Sequence, residues 1–341
     1  MCLWEEKLVL QSRCRLSEKE MPPLKSLQQE YPAIDARFLH FCTSRGIISV
    51  EDFLIHDLNE LVAFAEQDPD SEDLKKGILL VLSYIDGQHQ SWRNGLELLQ
   101  DAERNNLVLS TGCDGIDFLL QGGLHEGQLT ELVGSSSSGK TQVCLQAASN
   151  IAVKYMGTVM FLDSCNSFSA KHIAHLISPL LTTRSKEVKE RSLQRAMSKI
   201  LCQSVFDIFT LLHELNQLDT LLRSEVKSKE GKMHLLIIDS VSSLITPVLG
   251  GRDSNGHSLM TSAGFLLKKL ANEHNLSVLV TNHTVGGERG IPKPALGESW
   301  KSIPHVRLML SRESGSSSRK VSVLKHPSVA SGVSAYFELF T

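Results

Sequence analysis

The 341-residue sequence contains no uninterrupted apolar run near the roughly 18 residues of a membrane span, so an integral helical membrane protein is excluded. It has no Cys-x-x-Cys pair. Its seven cysteines, an odd number, are scattered from Cys2 to Cys202, so neither a zinc site nor a disulfide framework is expected. The opening Met1-Cys2-Leu3-Trp4-Glu5-Glu6 lacks the basic start and apolar core of a secretory signal. A soluble protein of a reducing, intracellular compartment is the expectation. There is no compositional bias either: 41% apolar and 21% charged residues lie near the globular average, which rules out a disordered or collagen-like chain. Internal repeats are absent, and low complexity is confined to Ser135–Ser138 and Ser314–Ser318.

What is present is uneven. The net charge of −3 conceals an acidic front, with nine Lys/Arg against fifteen Asp/Glu in residues 1–83, and a mildly basic back, with eight against four from Thr281 onward. A surface that tracks a nucleic-acid backbone, if the chain has one, belongs to the back half.

The length suggests two domains at about 100–200 residues each. Residues 1–30 are mixed and polar and read as a poorly ordered arm or a first short helix. A small all-helical unit follows and closes residues 1–83. Phe38, Leu39 and Phe41 lead into the helix stop Arg45-Gly46-Ile47, and Ser49-Val50-Glu51-Asp52 reads as an N-cap with acids in the first turn. Leu54, Leu58, Leu61 and Val62 share one face of the next helix, Asp68-Pro69-Asp70-Ser71 breaks it, and Leu74–Ile85 forms another. Residues 84–106 are a polar linker with one helical stretch, its apolar points being Trp92 and Leu96–Leu99.

From Leu107 the texture changes, and residues 107–341 form the second domain. Short β-rich runs at Leu129–Val133, Thr158–Leu162, Ile200–Ser204, Leu235–Ile238 and Ser277–Thr281 alternate with helical patterns that include Phe209–Leu222 and Leu259–Glu273. Near-continuous apolar strands separated by helices predict an α/β fold with a mostly parallel sheet covered on both faces. Val306–Leu310, Val321–Lys325 and Ala335–Phe340 have only loops between them and predict antiparallel strands at one end.

One motif carries chemistry. Gly134, Ser135, Ser136, Ser137, Ser138, Gly139, Lys140 and Thr141 match the phosphate-binding loop, with an apolar strand before it and a helix after it. Glycines let the backbone wrap phosphates, and the amides converge at a helix N-terminus. In such a loop the lysine reaches the β- and γ-phosphates and the threonine hydroxyl serves Mg²⁺. The partner carboxylate should end another buried strand, and Leu235-Leu236-Ile237-Ile238-Asp239 supplies it, with Asp239 at the carboxyl edge where open α/β sheets bind ligands. ATP with Mg²⁺ is the expected ligand. His172 and His175 lie at i, i+3 but have no third ligand nearby, so they read as a surface face.

These residues resemble the RecA/RadA-type recombinase family, and within it the eukaryotic Rad-fifty-one paralogues. The resemblance rests on Gly134–Thr141 followed by Gln142, on the Leu-Leu-Ile-Ile-Asp-Ser strand, and on Val278-Leu279-Val280-Thr281-Asn282-His283. The lead-in Leu109-Ser110-Thr111-Gly112, Asp117 and Gly122-Gly123-Leu124 is similar too. The resemblance implies a RecA-like ATPase core, Thr141 and Asp239 at the metal, and a catalytic role for Lys140 and Asp239. It matches His283 to the glutamine that senses the γ-phosphate. It also implies two DNA loops, one at about Gly250–Ser258 with Arg252 and one at about Thr284–Lys301 with Arg289, Lys293 and Lys301, whose single aromatic is Trp300.

The sequence departs from that family at one chemically important position. Where the family places a water-polarising glutamate, after Met160-Phe161-Leu162-Asp163-Ser164, this chain has Cys165. A thiol is a poor substitute for a carboxylate base, and a lost base typically costs about 10²–10⁴ in rate. Asp163, two residues earlier, is the one candidate to compensate. The small domain lacks the glycines of the family's duplex-binding hairpin, which argues for a protein surface there.

The resemblance therefore implies a nuclear DNA-repair protein of homologous recombination. It would work with other recombinase paralogues on single-stranded DNA and hydrolyse ATP slowly. One alternative is a non-hydrolysing adaptor that uses ATP as an interface element. Another is a helicase-like motor.

Overall fold

The computed structural model describes residues 22–339 except 29–30, 33, 70, 89–93, 106, 183–184, 225–231, 251–254, 288–291 and 313–317. Its contacts divide the chain into two compact units, Met1–Leu98 and Leu99–Thr341.

The front unit holds α1 (Leu24–Leu27), α2 (Ala36–Thr43), α3 (Val50–Ile55), α4 (Leu58–Glu66) and α5 (Ser71–Gln88), and side-chain caps start α2, α3 and α4. Asp35 accepts hydrogen bonds from the Arg37 and Phe38 amides to start α2. Ser49 and Asp52 form a reciprocal capping box on α3. The sequence places Leu54, Leu58, Leu61 and Val62 on one helix. Instead His56 leaves helical geometry and Asp57 caps a new helix by accepting from the Asn59 amide. A short acidic side chain that bonds its own backbone favours this break over helix continuation. Leu58 and Leu61 still reach the core, which is built around Ile34, Phe38, Ile47, Phe53, Ile78 and Val81. α5 runs to Gln88, past the expected helix end at Ile85 and the expected domain end at residue 83, and α6 (Gly95–Asn105) fills most of the remaining linker. Trp92 lies outside the described residues.

The second unit opens with a two-stranded antiparallel pair, β1 (Val108–Leu109) and β2 (Leu124–His125), around α7 (Asp114–Leu119). It continues through β3 (Leu129–Gly134), α8 (Lys140–Lys154), β4 (Thr158–Asp163), α9 (Ala170–Ile177), α10 (Lys186–Met197) and β5 (Ile200–Ser204). Then come α11 (Ile208–Ser224), β6 (Met233–Asp239), α12 (Val241–Leu249), α13 (Asn255–His274), β7 (Ser277–Val285), β8 (Lys293–Pro294) and α14 (Gly297–Lys301). The chain ends in β9 (Val306–Arg312), β10 (Arg319–Lys325) and β11 (Ser334–Phe337).

The sheet order is β11-β10-β9-β3-β7-β6-β4-β5, with β8 folded back on β7. The strands from β9 to β5 are parallel, and β10 and β11 are antiparallel, as the sequence predicts. Period-two alternation distributes the buried side chains between two layers. Leu235 and Ile237 pack with α8 and α9 residues such as Val143, Ile151 and Ile173. Leu236 and Ile238 pack with Leu211, Val241 and Leu267 of α11, α12 and α13. The carboxyl ends of β3, β4, β6 and β7 meet at one edge: Gly134 is in register with His283, and Asp163 with Asp239.

The lead-in before β3 holds α8 in place. Asp117 accepts from Ser110 Oγ at 2.7 Å and from the Thr111 amide at 2.8 Å. Gln146 and Asn150 of α8 donate to the carbonyls of Gly112 and Ser110.

Candidate nucleotide-binding site

The loop from Gly134 to Thr141 joins β3 to α8 at the carboxyl edge of the sheet. Its sequence is dictated by space. A Cβ on Gly134 would lie 2.4 Å from Ser138 Oγ and 2.7 Å from the Leu310 carbonyl oxygen. Ser137 has φ 64° and Gly139 φ 103°, so the backbone curls into the concave turn that presents amides to an anion. Lys140 is buried and donates to the carbonyls of Gly134 at 2.8 Å and Ser135 at 3.0 Å. Burial lowers the pKa of its ammonium, and the nearby Asp239 acts the other way.

Thr141 Oγ1 donates to Asp239 Oδ2 at 2.6 Å, while Thr281 donates to the other carboxylate oxygen. This assembles the hydroxyl and the carboxylate that the sequence assigns to Mg²⁺. Ser240 follows Asp239 and caps α12, and its Oγ lies 3.2 Å from His283 Nε2. Burial lowers the His283 pKa, with the Lys140 charge adding to the effect, so a neutral imidazole faces the loop at neutral pH. Ser136, Ser137, Gly139, Lys140, Thr141, Cys165, Asp239 and His283 line one cavity of about 390 Å³.

Cys165 is exposed at this cavity, where the resemblance puts it. Asp163 is not a stand-in for the family's glutamate. It is buried and accepts from the amides of Cys165 at 3.0 Å and Phe168 at 2.8 Å, and from Ser167 Oγ at 3.2 Å. Its oxygens pin the turn that carries Cys165. The turn is therefore rigidly placed, and its tip carries a thiol.

The two basic loops have a different character. Arg252 and Arg289 lie outside the described residues. Residues 255–258 of the first loop belong to α13. In the second, Lys293 sits in β8, in register with Val285, and Lys301 pairs with Glu298 at 3.1 Å on the exposed face of α14. Trp300, the single aromatic of this loop, is fully buried. Its Nε1 donates to Glu131 Oε1 at 2.8 Å, beside Asn282 Nδ2 at 2.7 Å, and Arg307 holds the other oxygen. A buried carboxylate needs such donors, and the indole that supplies one cannot also stack on a base. His172 bonds Gln142 Oε1 at 2.7 Å, and neither it nor His175 belongs to a cluster with metal-ligand spacing among the described residues.

Four cavity residues were not legible as such from sequence: Ser167, Arg312, Arg319 and Leu339. Ser167 Oγ lies 3.4 Å from Asp239 Oδ2. Arg312, Arg319 and Leu339 come from the antiparallel end of the sheet, and only the strand order brings them over the loop. Leu339 packs against Gly139, where an added Cβ would lie 2.9 Å from Leu339 Cδ1.

The residues present fit a nucleoside triphosphate with Mg²⁺. The cradle leaves no room for a side chain at Gly134, the φ of 103° at Gly139 disfavours one there, and Ser138 Oγ and two Arg319 nitrogens are buried without a partner among the described residues. The loop amides and Lys140 would hold the phosphates, and Thr141 and Asp239 would hold Mg²⁺, which supplies charge neutralisation when bound.

Comparison with known proteins agrees with this geometry. Residues 103–339 match the Rad51 family model. The chain is 33% identical to the bovine (Bos taurus) "DNA repair protein RAD51 homolog 4" over 307 residues, covering 88% of this chain and 90% of the relative. It is 34% identical to the mouse (Mus musculus) protein of the same name over 254 residues, 73% of this chain and 75% of the relative. The archaeal "DNA repair and recombination protein RadA" of Metallosphaera sedula is 26% identical over 235 residues, 66% of this chain and 68% of the relative. Phosphate loop, partner carboxylate, sheet order and these similarities converge: the chain belongs to the Rad51 family of RecA-type proteins, among its paralogues.

Proposed function

We propose that this protein is an ATP-binding factor of DNA repair by homologous recombination, whose nucleotide is held more than it is turned over. The observation that carries this reading is the cavity itself. It keeps Lys140, Thr141 and Asp239, yet it presents Cys165 where a water-polarising carboxylate would stand, and Asp163 is committed to backbone amides. Such a site binds Mg²⁺ and ATP well and orients the attacking water poorly. His283, which the resemblance matches to a γ-phosphate-sensing glutamine, hydrogen-bonds Ser240 at the cavity, and in this reading the pair lets the site distinguish ATP from ADP.

In this reading the protein works in the nucleus within a heteromeric assembly of recombinase paralogues and promotes recombinase filaments on single-stranded DNA. Support comes from its family, from relatives named as DNA repair proteins, and from the basic residues of the back half. Hydrolysis measured at steady state, with and without single-stranded DNA, tests it. Turnover well below about 10 s⁻¹, with a modest DNA response, is expected. Fast DNA-dependent hydrolysis would return the protein to the class of ATP-driven motors.

A further inference from the structure

Arg319 and Arg312 are register partners on β10 and β9, two cations directly opposite each other on adjacent antiparallel strands. Like charges so placed destabilise a sheet. Both side chains line the nucleotide cavity. Arg319 Nε and Nη1 are shielded from solvent and have no hydrogen-bond partner among the described residues. A guanidinium cannot shed its charge, so buried donors of this kind stay costly until an anion meets them. Burial, and secondarily the Arg312 charge, lower the Arg319 pKa. The head group sits beside the phosphate loop: a Cβ on Gly139 would lie 3.9 Å from Arg319 Nε.

We propose that Arg319 is a second cationic ligand of the nucleotide's phosphates, delivered from the same chain by the β9–β10 hairpin, with Arg312 holding the local field positive. The inference rests on the nucleotide site described above and adds a residue outside its motifs. Strand order puts β10, which carries Arg319, and β6, which carries Asp239, on opposite sides of β3, so the polyphosphate would lie between Arg319 and the loop. Two consequences follow. Nucleotide relieves a repulsion built into the free protein, so its stabilising effect exceeds what the loop alone supplies. Removing the Arg319 charge relieves the same repulsion without nucleotide.

The test uses the full chain and three variants, Arg319→Gln, Arg319→Lys and, as a control on the site, Lys140→Ala. Binding of ATP-γ-S and of ADP is measured by calorimetry, and thermal unfolding is followed with and without nucleotide. A charge-assisted bond to phosphate predicts about tenfold to hundredfold weaker binding for Arg319→Gln. Arg319→Lys should recover part of that loss. The nucleotide-free Arg319→Gln protein should unfold at or above the wild-type temperature, an outcome that a merely structural arginine would not give. Affinity within twofold of wild type in Arg319→Gln, while Lys140→Ala loses binding, overturns this inference and leaves the site intact. Failure of the wild type to bind either nucleotide overturns both.

Discussion

Thr141 Oγ1 donates to Asp239 Oδ2 across 2.6 Å, joining the first turn of α8 to the end of β6, residues 98 positions apart in sequence. This contact places a hydroxyl and a carboxylate together at the lip of the phosphate loop, the pair from which a Mg²⁺ site is made. Thr141→Val keeps the shape and removes the hydroxyl. ATP-γ-S affinity should fall about tenfold with Mg²⁺ present and stay within twofold without it. Equal losses in both conditions would show that Thr141 acts on the loop and not on the metal.

Catalysis turns on Cys165. The turn that carries it is fixed by Asp163, which accepts from the amides of Cys165 and Phe168, so a longer side chain would be delivered to the cavity and not displaced. Cys165→Glu should raise steady-state hydrolysis by about tenfold or more, on the scale of a restored base. Cys165→Ala should change it little. The reverse pair of results would show that the thiol takes part in the reaction.

The parts of this site that the sequence reveals are those carried by contiguous residues. Gly134–Thr141 is a local pattern with a strand before and a helix after, and Asp239 ends an apolar run, so both are readable along the chain. Arg319 is not, because its place over the loop depends on β10 pairing with β9 and β9 with β3. The burial of Trp300 is not readable along the chain either, because its partner, Glu131, lies 169 positions away. Asp163 sits on the expected strand end, but only the geometry of the following turn shows that its oxygens are taken by amides. In the front unit the helical pattern was right, while the break at His56-Asp57 was hidden because Leu54 and Leu58 keep helical spacing across it.

The front unit has its own apolar core and an acidic composition. A fragment of residues 1–98 should fold and show no salt-sensitive affinity for duplex or single-stranded DNA. Any affinity should reside in residues 99–341 and weaken as salt rises. Titration of labelled DNA with each fragment at two salt concentrations checks this. Tight binding by the front fragment would reverse the division of labour.

Asp219 on α11 is clasped by three groups: His274 Nε2 at 2.8 Å, with Arg223 and Lys269 each at 3.2 Å. Burial alone would raise its pKa, but these hydrogen bonds outweigh it and hold the carboxyl at about 2. A carboxyl depressed by folding stabilises the protein above its unfolded pKa of about 3.9. That contribution is lost as pH falls through the folded value near 2. Asp219→Asn should lower stability at pH 7 by about 2 kcal/mol, between the values for exposed and buried pairs. The gap from wild type should shrink between about pH 4 and pH 2. Denaturant unfolding across that range reads it directly, and a gap independent of pH would mean that packing, not charge, is responsible.

The central claim is that Gly134–Thr141 is a working phosphate cradle whose affinity depends on the buried Lys140 ammonium. Equilibrium binding of ATP-γ-S to the wild type and to Lys140→Ala tests it most directly. The account predicts tight binding by the wild type and loss of most of that affinity in the variant, because the loop amides remain while the ammonium held inside the loop is gone. A variant that binds as tightly as the wild type would contradict it.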